Sequence, residues 1–533
     1  MFAKMLSYLS TGQRAPMKDV KTPQVKNSAG GYSWSVDHWS RLQRFLILGS
    51  SSGSYYASAR KLTQENAAVV VDCLAEDGLR TVETIASISE SGRAPKNDPA
   101  ILALAICLKL GDLSARKAAV DAVPRVCRIG THLFHLAAAV DSLGGWGRAT
   151  RRAFARWYQR EDVDRLAYQV SKYRQRDGWS HRDVLRKSHP SPPSEAHNAL
   201  YRWVTRGELV AGAPARLGLA DLAASSTTAA DVAYLVESHG LVREELPTQF
   251  LNDRAVWRAL LRSGRGMPMT AMLRNLAKMT SLGILSKNSP DTTFVSDRLR
   301  SADALRKARV HPLSILVALN TYRRGKGVKG KLTWTPVREI VNALEMAFDL
   351  SFHAVPRTGK RHLLAVDVSG SMGWSEISGM TGITPRVGAA AMAMVTHRVE
   401  PNSIITAFSS GLKTVDLGKD ATLEQVQKRF DRMPMGGTDC ALPMLHALKH
   451  RIPVDTFIVY TDSETWFGKV HPAEALRRYR AEMGIDARLI VCGMVSNGFT
   501  IADPDDKGML DVVGFDTAAP AMMAKFTMGE LDG

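Results

Sequence analysis

The residues best suited to chemistry lie in the last third of the chain. Asp367-Val368-Ser369-Gly370-Ser371 closes the apolar run HLLAVD with an aspartate and two hydroxyls at alternating positions. On a turn leaving the carboxyl edge of a sheet, these side chains can converge on one ion. Gly436-Gly437-Thr438-Asp439, a glycine-rich turn before a helical stretch, adds the Thr438 hydroxyl. Asp462 ends a further apolar run, DTFIVYTDSE, where another strand reaches the same edge. Hard oxygen donors with few charges suit Mg²⁺ or another divalent cation, which keeps octahedral geometry and several waters. The candidate metal ligands are Asp367, Ser369, Ser371, Thr438 and Asp462. One ion with serine ligands offers neither a second metal nor a general base, so a nuclease built on Asp367 and Asp462 is set aside and no enzyme activity is expected.

The second chemistry is electrostatic. The chain carries 70 Lys+Arg against 52 Asp+Glu, a formal net charge of +18. Residues 360–533 hold 18 basic and 21 acidic side chains, a net of −3, so the whole basic excess belongs to residues 1–359. Such asymmetry points to a polyanion partner for one region and a different task for the other. Within 151–187 there are 11 Lys/Arg and 5 Asp/Glu, interleaved with Trp157, Tyr158, Tyr168, Tyr173 and Trp179. Residues 298–331 hold 10 Lys/Arg and one acid, Asp303. Cations attract phosphates and aromatics can stack on unpaired bases, although most of these aromatics read as helix core. RNA is favoured over mere solubility.

These side chains need two different scaffolds. Residues 1–30 are polar and rich in Gly, Pro and Lys, and read as an arm. From about 37 to 350 the apolar spacing is helical, in segments such as 64–75, 99–110, 150–174, 195–206, 228–239, 254–263, 268–281 and 311–323, separated by short turns. Stacked helix pairs of the HEAT type are the expected architecture of a domain over 31–355. After Pro356, the runs 362–371, 403–410, 455–464, 487–495 and 510–515 alternate with helical stretches 386–399, 422–432, 440–450 and 472–483. This predicts a doubly wound, Rossmann-like α/β domain over 356–533, with ligands at the carboxyl ends of its parallel strands.

Several classes are excluded. At 45% hydrophobic and 23% charged, the composition is globular. No apolar run approaches the ~18 residues of a membrane-spanning helix. The N-terminus lacks a signal-like apolar core, and five scattered cysteines without CxxC suggest neither zinc nor disulfides, so a cytoplasmic location is expected; a monomer is expected as well. Gly325–Lys331 has phosphate-loop spacing, but Leu332 stands where the metal-binding hydroxyl belongs, and a basic RNA-facing loop fits better. His132 with His135, and His446 with His450, have no acidic or cysteine company in the sequence and read as ordinary helical histidines.

The D-x-S-G-S…T…D set resembles the metal-ion-dependent adhesion site (MIDAS) of the von Willebrand factor A domain. That resemblance implies a binding site whose ion keeps a position open for a partner's carboxylate. RLQRFLILGSSSGSYY (41–56), GRAPKNDPAILALAIC (92–107), KYRQRDGWSHRDVLRKSH (172–189) and RRGKGVKGKLTWTP (323–336) are similar to the TROVE-domain family typified by the Ro autoantigen. The resemblance implies a helical ring that binds small structured Y RNAs outside and single-stranded 3′ ends of misfolded RNA in its central hole. It implies work in RNA quality control and stress-linked RNA maturation, alongside a 3′→5′ exoribonuclease. Lys172, Arg176 and His189 match family positions that contact Y RNA, and Arg174 and Arg182 lie nearby. His181 is open to a second reading as a helix-packing histidine, as is His189. Pro190-Ser191-Pro192-Pro193 is richer in proline than the family pattern. A metal-dependent protein scaffold with incidental positive charge is the alternative function.

Overall fold

Helix starts are written locally in the first two-thirds of the chain. Asp37, Asp112, Asp162, Ser180, Ser194, Thr228, Asp253, Ser289 and Ser301 each accept a hydrogen bond from a backbone N–H of the turn that follows. The computed structural model describes residues 12–50, 58–160, 162–264, 266–327, 331–351, 356–377, 382–418, 421–433 and 436–531. Parts of the expected arm, of the 41–56 and 323–336 segments and the expected boundary at 355/356 lie outside the described residues.

From His38–Leu48 to Arg338–Ser351 helix follows helix, each packed on a near neighbour in the chain. The helix Ala59–Ser91 runs far beyond the expected 64–75, with a kink at Asp77 (φ −152°, ψ 96°). There the Asp77 carboxylate accepts from Arg80 N–H, capping a second half-helix, and Gly78 lies so close to Ala115 that a β-carbon would sit 2.7 Å from it. The expected 150–174 helix is broken into Arg148–Tyr158 and Val163–Lys172, because Asp162 caps the second piece. The array returns to its beginning. Arg309 donates to the Glu90 carbonyl at 2.7 Å across 219 residues of sequence, so the late helices meet the end of an early one.

The arm does not stand apart. Its strands β1 (Val25–Lys26) and β2 (Tyr32–Ser35) pair, and β2 pairs again with a strand near residue 500. Trp34 is buried with Leu363, Phe457 and Leu489 of the α/β region. Between the helices Val163–Lys172 and His181–Ser188 a small hairpin, β3 (Gln175–Arg176) and β4 (Trp179–Ser180), interrupts the helical pattern.

The α/β region carries β5 (His362–Asp367), β6 (Ser403–Phe408), β7 (Leu412–Thr414), β8 (Thr456–Thr461), β9 (Arg488–Gly493), β10 (Phe499–Thr500) and β11 (Met509–Val513). The sheet order is β11-β9-β8-β5-β6-β7, parallel except for the edge strand β7. Because β strands alternate their faces, Leu364 and Val366 pack toward the helix Pro385–Val399, while Leu363 and Ala365 pack toward Leu442–Lys449 and Pro472–Met483. The chain leaves β5 toward β6 and returns to its other side as β8. The crevice beyond β5 and β8 is therefore the switch point where such folds bind ligands.

The two regions are bolted together. Arg44, fully buried on the first helix, donates from Nη2 to both Asp511 carboxylate oxygens at 2.5 and 2.6 Å and from Nη1 to the Phe499 carbonyl at 2.8 Å. Arg93 pairs with Asp516, and His311 Nε2 lies 2.8 Å from the Phe515 carbonyl oxygen. All five cysteines are buried and free. Among the described residues no helix is long and apolar enough to cross a membrane.

Candidate functional site

Asp367 is the last residue of β5, and Asp462 follows the last residue of β8. The turn after β5 folds back so that Ser369 N–H donates to Asp367 Oδ1 at 2.8 Å, and the hydroxyls of Ser369 and Ser371 touch at 3.1 Å. Ser371 also hydrogen-bonds the Asp462 carboxyl, which accepts from Glu464 N–H at 3.1 Å. Four of the expected ligands thus form one connected, buried group. Thr438, also buried, joins through its loop. Asp439 N–H donates to Ser409 O at the end of β6, and the Cys440 thiol lies 3.6 Å from Thr461 Oγ1.

Burial, followed by the charge of Asp462, pushes the Asp367 carboxyl up to about 7, against the stabilising hydrogen bonds from Ser369 and Thr461. Burial also raises Asp462, takes Asp439 up to about 7, and together with the charge of Asp462 takes Glu464 up to about 8. Crowded buried carboxyls with hydroxyls between them are a donor set that a hard divalent cation would relieve. Among the described residues no group of three His, Cys, Asp or Glu side chains is arranged to hold a metal; the expected donor set comprises two carboxylates and three hydroxyls. Sequence reading missed Thr461. Its hydroxyl donates to Asp367 Oδ2 at 2.7 Å, so that with Ser369 N–H on Oδ1 both carboxylate oxygens are oriented by this chain. Its place immediately before Asp462 was the available signal.

Lys172, Arg176 and His189 sit on one helix–hairpin–helix unit but face different surroundings. Lys172 ends its helix, donates to Tyr168 OH at 2.9 Å and lies over the Tyr168 and Tyr173 rings at 5.1 Å each. Arg176, on β3, is exposed and lines an open cleft with Asp98, His135 and Asp177. His189 caps the helix His181–Ser188 in a left-handed conformation (φ 47°) and lines a cleft of about 680 Å³ with Arg148, Arg151, Arg152 and Arg156. The arginines at i, i+3, i+4 and i+8 fall on one face of the helix Arg148–Tyr158, whose opposite face buries Phe154 and Trp157. That spacing was present in the sequence and overlooked.

Other expectations divide. His181 is buried, 2.7 Å from Tyr158 OH and packed on Phe134 and Trp157, so the packing reading applies to it, while His189 is exposed. Burial drives the His181 imidazole down to about 3. Trp157 and Tyr158 belong to the core, as expected for most of the aromatics. Arg174 and Arg182 are exposed. His135 is a correction. It lies 3.2 Å from both Asp98 and Asp177, acidic company supplied by a neighbouring helix start and by the hairpin turn.

The Ro60 vWA domain family matches residues 361–527, and the TROVE domain family matches residues 25–208 and 238–321. The chain is 42% identical to the RNA-binding protein RO60 of Deinococcus radiodurans over 513 residues, 95% of this chain and 96% of that protein. It is 35% identical to the RNA-binding protein RO60 of Caenorhabditis elegans over 596 aligned positions, covering 97% and 92% of the two. The crystal structure of the Deinococcus radiodurans RO protein matches it with a TM-score of 0.70 at 42% identity, across 93% of this chain and all (100%) of that one. A closed helical array joined to a doubly wound sheet, with these likenesses along nearly its whole length, makes the chain a member of the Ro60 family of TROVE-domain RNA-binding proteins.

Proposed function

We propose that this chain binds RNA through the cationic surface of its helical array, with Lys172, Arg176 and His189 contacting a small Y-like RNA on the outside. A single-stranded 3′ end of misfolded RNA or of an rRNA precursor would enter the central hole that the resemblance to the TROVE-domain family implies. The observation that carries this reading is the exposed arginine face of Arg148, Arg151, Arg152 and Arg156 opening into one cleft with His189. Guanidinium groups spaced along a helix face neutralise successive phosphates without reading bases. The work we assign to it, on the family likeness, is RNA quality control and stress-linked RNA maturation in the cytoplasm, by a monomer acting beside a 3′→5′ exoribonuclease.

Asp367, Ser369, Ser371, Thr438 and Asp462 would hold Mg²⁺ or another divalent cation, which when bound supplies an electrophilic position for a partner's carboxylate. The chain's own residues there orient oxygen donors, and the reading assigns them no bond-breaking step. A filter-binding titration with a structured RNA tests the proposal. Lys172→Ala, Arg176→Ala and His189→Ser should weaken retention while Asp367→Ala leaves it intact, and affinity should fall steeply with salt, by about 0.7–0.9 in log K per log salt for each phosphate contacted. A metal-dependent protein scaffold is the second reading, favoured by Trp374, 73% exposed one turn beyond Ser371. It requires the opposite dependence, with Asp367→Ala abolishing capture of a protein ligand and no RNA retained at all.

A further inference from the structure

The Gln13 side chain belongs to the N-terminal arm, yet it is fully buried in the α/β region more than 420 residues away. Each of its polar atoms is used. Nε2 donates to Asp439 Oδ1 at 2.8 Å and to the Val470 carbonyl at 2.8 Å, while Oε1 accepts from the Thr465 hydroxyl. Asp439 immediately follows Thr438, and Thr465 lies three residues beyond Asp462. One arm amide therefore spans the two loops that bring Thr438 and Asp462 to the same edge. Thr465 closes the circuit, since its hydroxyl also reaches the Thr438 carbonyl at 3.3 Å and accepts from Cys440 N–H at 3.3 Å.

The backbone around Gln13 is shaped to place it. Gln13 N–H donates to Gly468 O at 3.2 Å, and a β-carbon at Gly12 would fall 2.1 Å from the Lys469 carbonyl oxygen, so only glycine allows this approach. Arg14 lies over the Trp466 ring at 4.9 Å. Farther along the arm, Asn27 Nδ2 donates to Thr465 O at 2.8 Å and Ala29 N–H to Glu464 Oε2 at 3.2 Å. The arm thus grips residues 464–470 at several points.

We propose that Gln13 is a positioning residue for the divalent-cation site, a clamp that holds the Thr438 and Asp462 loops at the separation one ion requires. The proposal rests on the metal reading of Asp367, Ser369, Ser371, Thr438 and Asp462. Groups that orient first-sphere ligands commonly govern metal affinity 10–100-fold when removed, because a loosened donor must be ordered again on binding.

Mn²⁺ binding to the full chain, followed by electron paramagnetic resonance of the free ion, tests it. Gln13→Ala should weaken Mn²⁺ about tenfold or more, and Thr465→Val similarly, while Thr465→Ser, which keeps the hydroxyl, should bind as the parent does. The double variant Gln13→Ala/Thr465→Val should lose less than the sum of the single losses, since both break one circuit. Thermal unfolding of every variant in EDTA supplies the folding control, and Thr465→Val carries the test if Gln13→Ala unfolds. Parent-like Mn²⁺ affinity in folded Gln13→Ala or Thr465→Val overturns the clamp and leaves the metal site standing. Absence of Mn²⁺ binding by the parent chain at millimolar concentration overturns the metal site and the clamp together.

Discussion

The carboxyl edge of the sheet and the arginine face of the helical array carry opposite charges in opposite ways. At the sheet edge, Asp367, Ser369, Ser371, Thr438 and Asp462 are all buried, and the side chains of all but Thr438 are tied to one another, to backbone or to Thr461. On the helix Arg148–Tyr158, the arginines stand exposed over a core of Phe154 and Trp157. A buried site is expensive to build, tolerates little change and selects one compact cation. An exposed row of cations costs little and suits a long, repeating polyanion whose position can shift by a phosphate. On the proposed reading, the difference matches one point ligand against one chain ligand.

That contrast is open to attack at several points. The largest effect should come from the bolt between the regions. Arg44→Ala empties a fully buried site and leaves the Asp511 carboxylate only its bond from the Thr500 hydroxyl, and is expected to cost about 3 kcal/mol, read as a fall in the thermal midpoint. Next, Asp367→Ala should weaken Mn²⁺ by on the order of 100-fold while RNA retention stays within twofold, as first-sphere loss exceeds the 10–100-fold typical of outer-shell loss. Parallel loss of RNA would break the separation between the two surfaces. Arg176→Ala and His189→Ser should each lower RNA affinity by about tenfold, and Arg176→Ala should also flatten the salt dependence by about 0.7–0.9 per lost phosphate contact. A loss of affinity with an unchanged salt slope would show that these residues read something other than backbone charge.

The smallest effect concerns acid. Burial holds the His181 imidazole down to about 3 and the His311 imidazole down to about 4, well below the ordinary value. The unfolded chain therefore takes up protons at these positions first, and the share of stability owed to these two imidazoles is full above about pH 6.5 and declines as pH falls toward 4, opposite in sign to the share of the raised Asp367, Asp439 and Glu464 carboxyls. Each should contribute about 1 kcal/mol of loss by pH 5.5, measured by urea unfolding. His311→Gln should remove its share of that acid dependence and leave that of His181.

Much of the sheet domain was legible because its signals are local. Strands β5, β6, β8, β9 and β11 coincide with the apolar runs, and the helix Pro472–Met483 has the bounds that periodicity predicts. The short edge strand β7 and the helix Ala519–Met528 were missed, the first for its length and the second for its small, weakly periodic residues. In the helical array, element type was legible and boundaries were not. Asp162 ends one expected helix and starts the next, whereas Asp77 only kinks the helix Ala59–Ser91. The identity of a capping residue does not say which of these happens, because packing against Ala115 decides it.

Residue type and spacing alone determined the two chemistries of this chain. An oxygen donor set recurs at strand ends, and the excess of basic over acidic side chains is confined to residues 1–359. Strand alternation and helical period translate such patterns into faces without help from distant sequence. Only the tertiary structure decided that the arm inserts Gln13 between Asp439 and Thr465, that Asp98 and Asp177 flank His135, and that Thr461 orients Asp367. Those contacts join residues from about 40 to more than 450 positions apart. Pairings at such separations follow from how whole elements pack and leave no periodic trace in the chain.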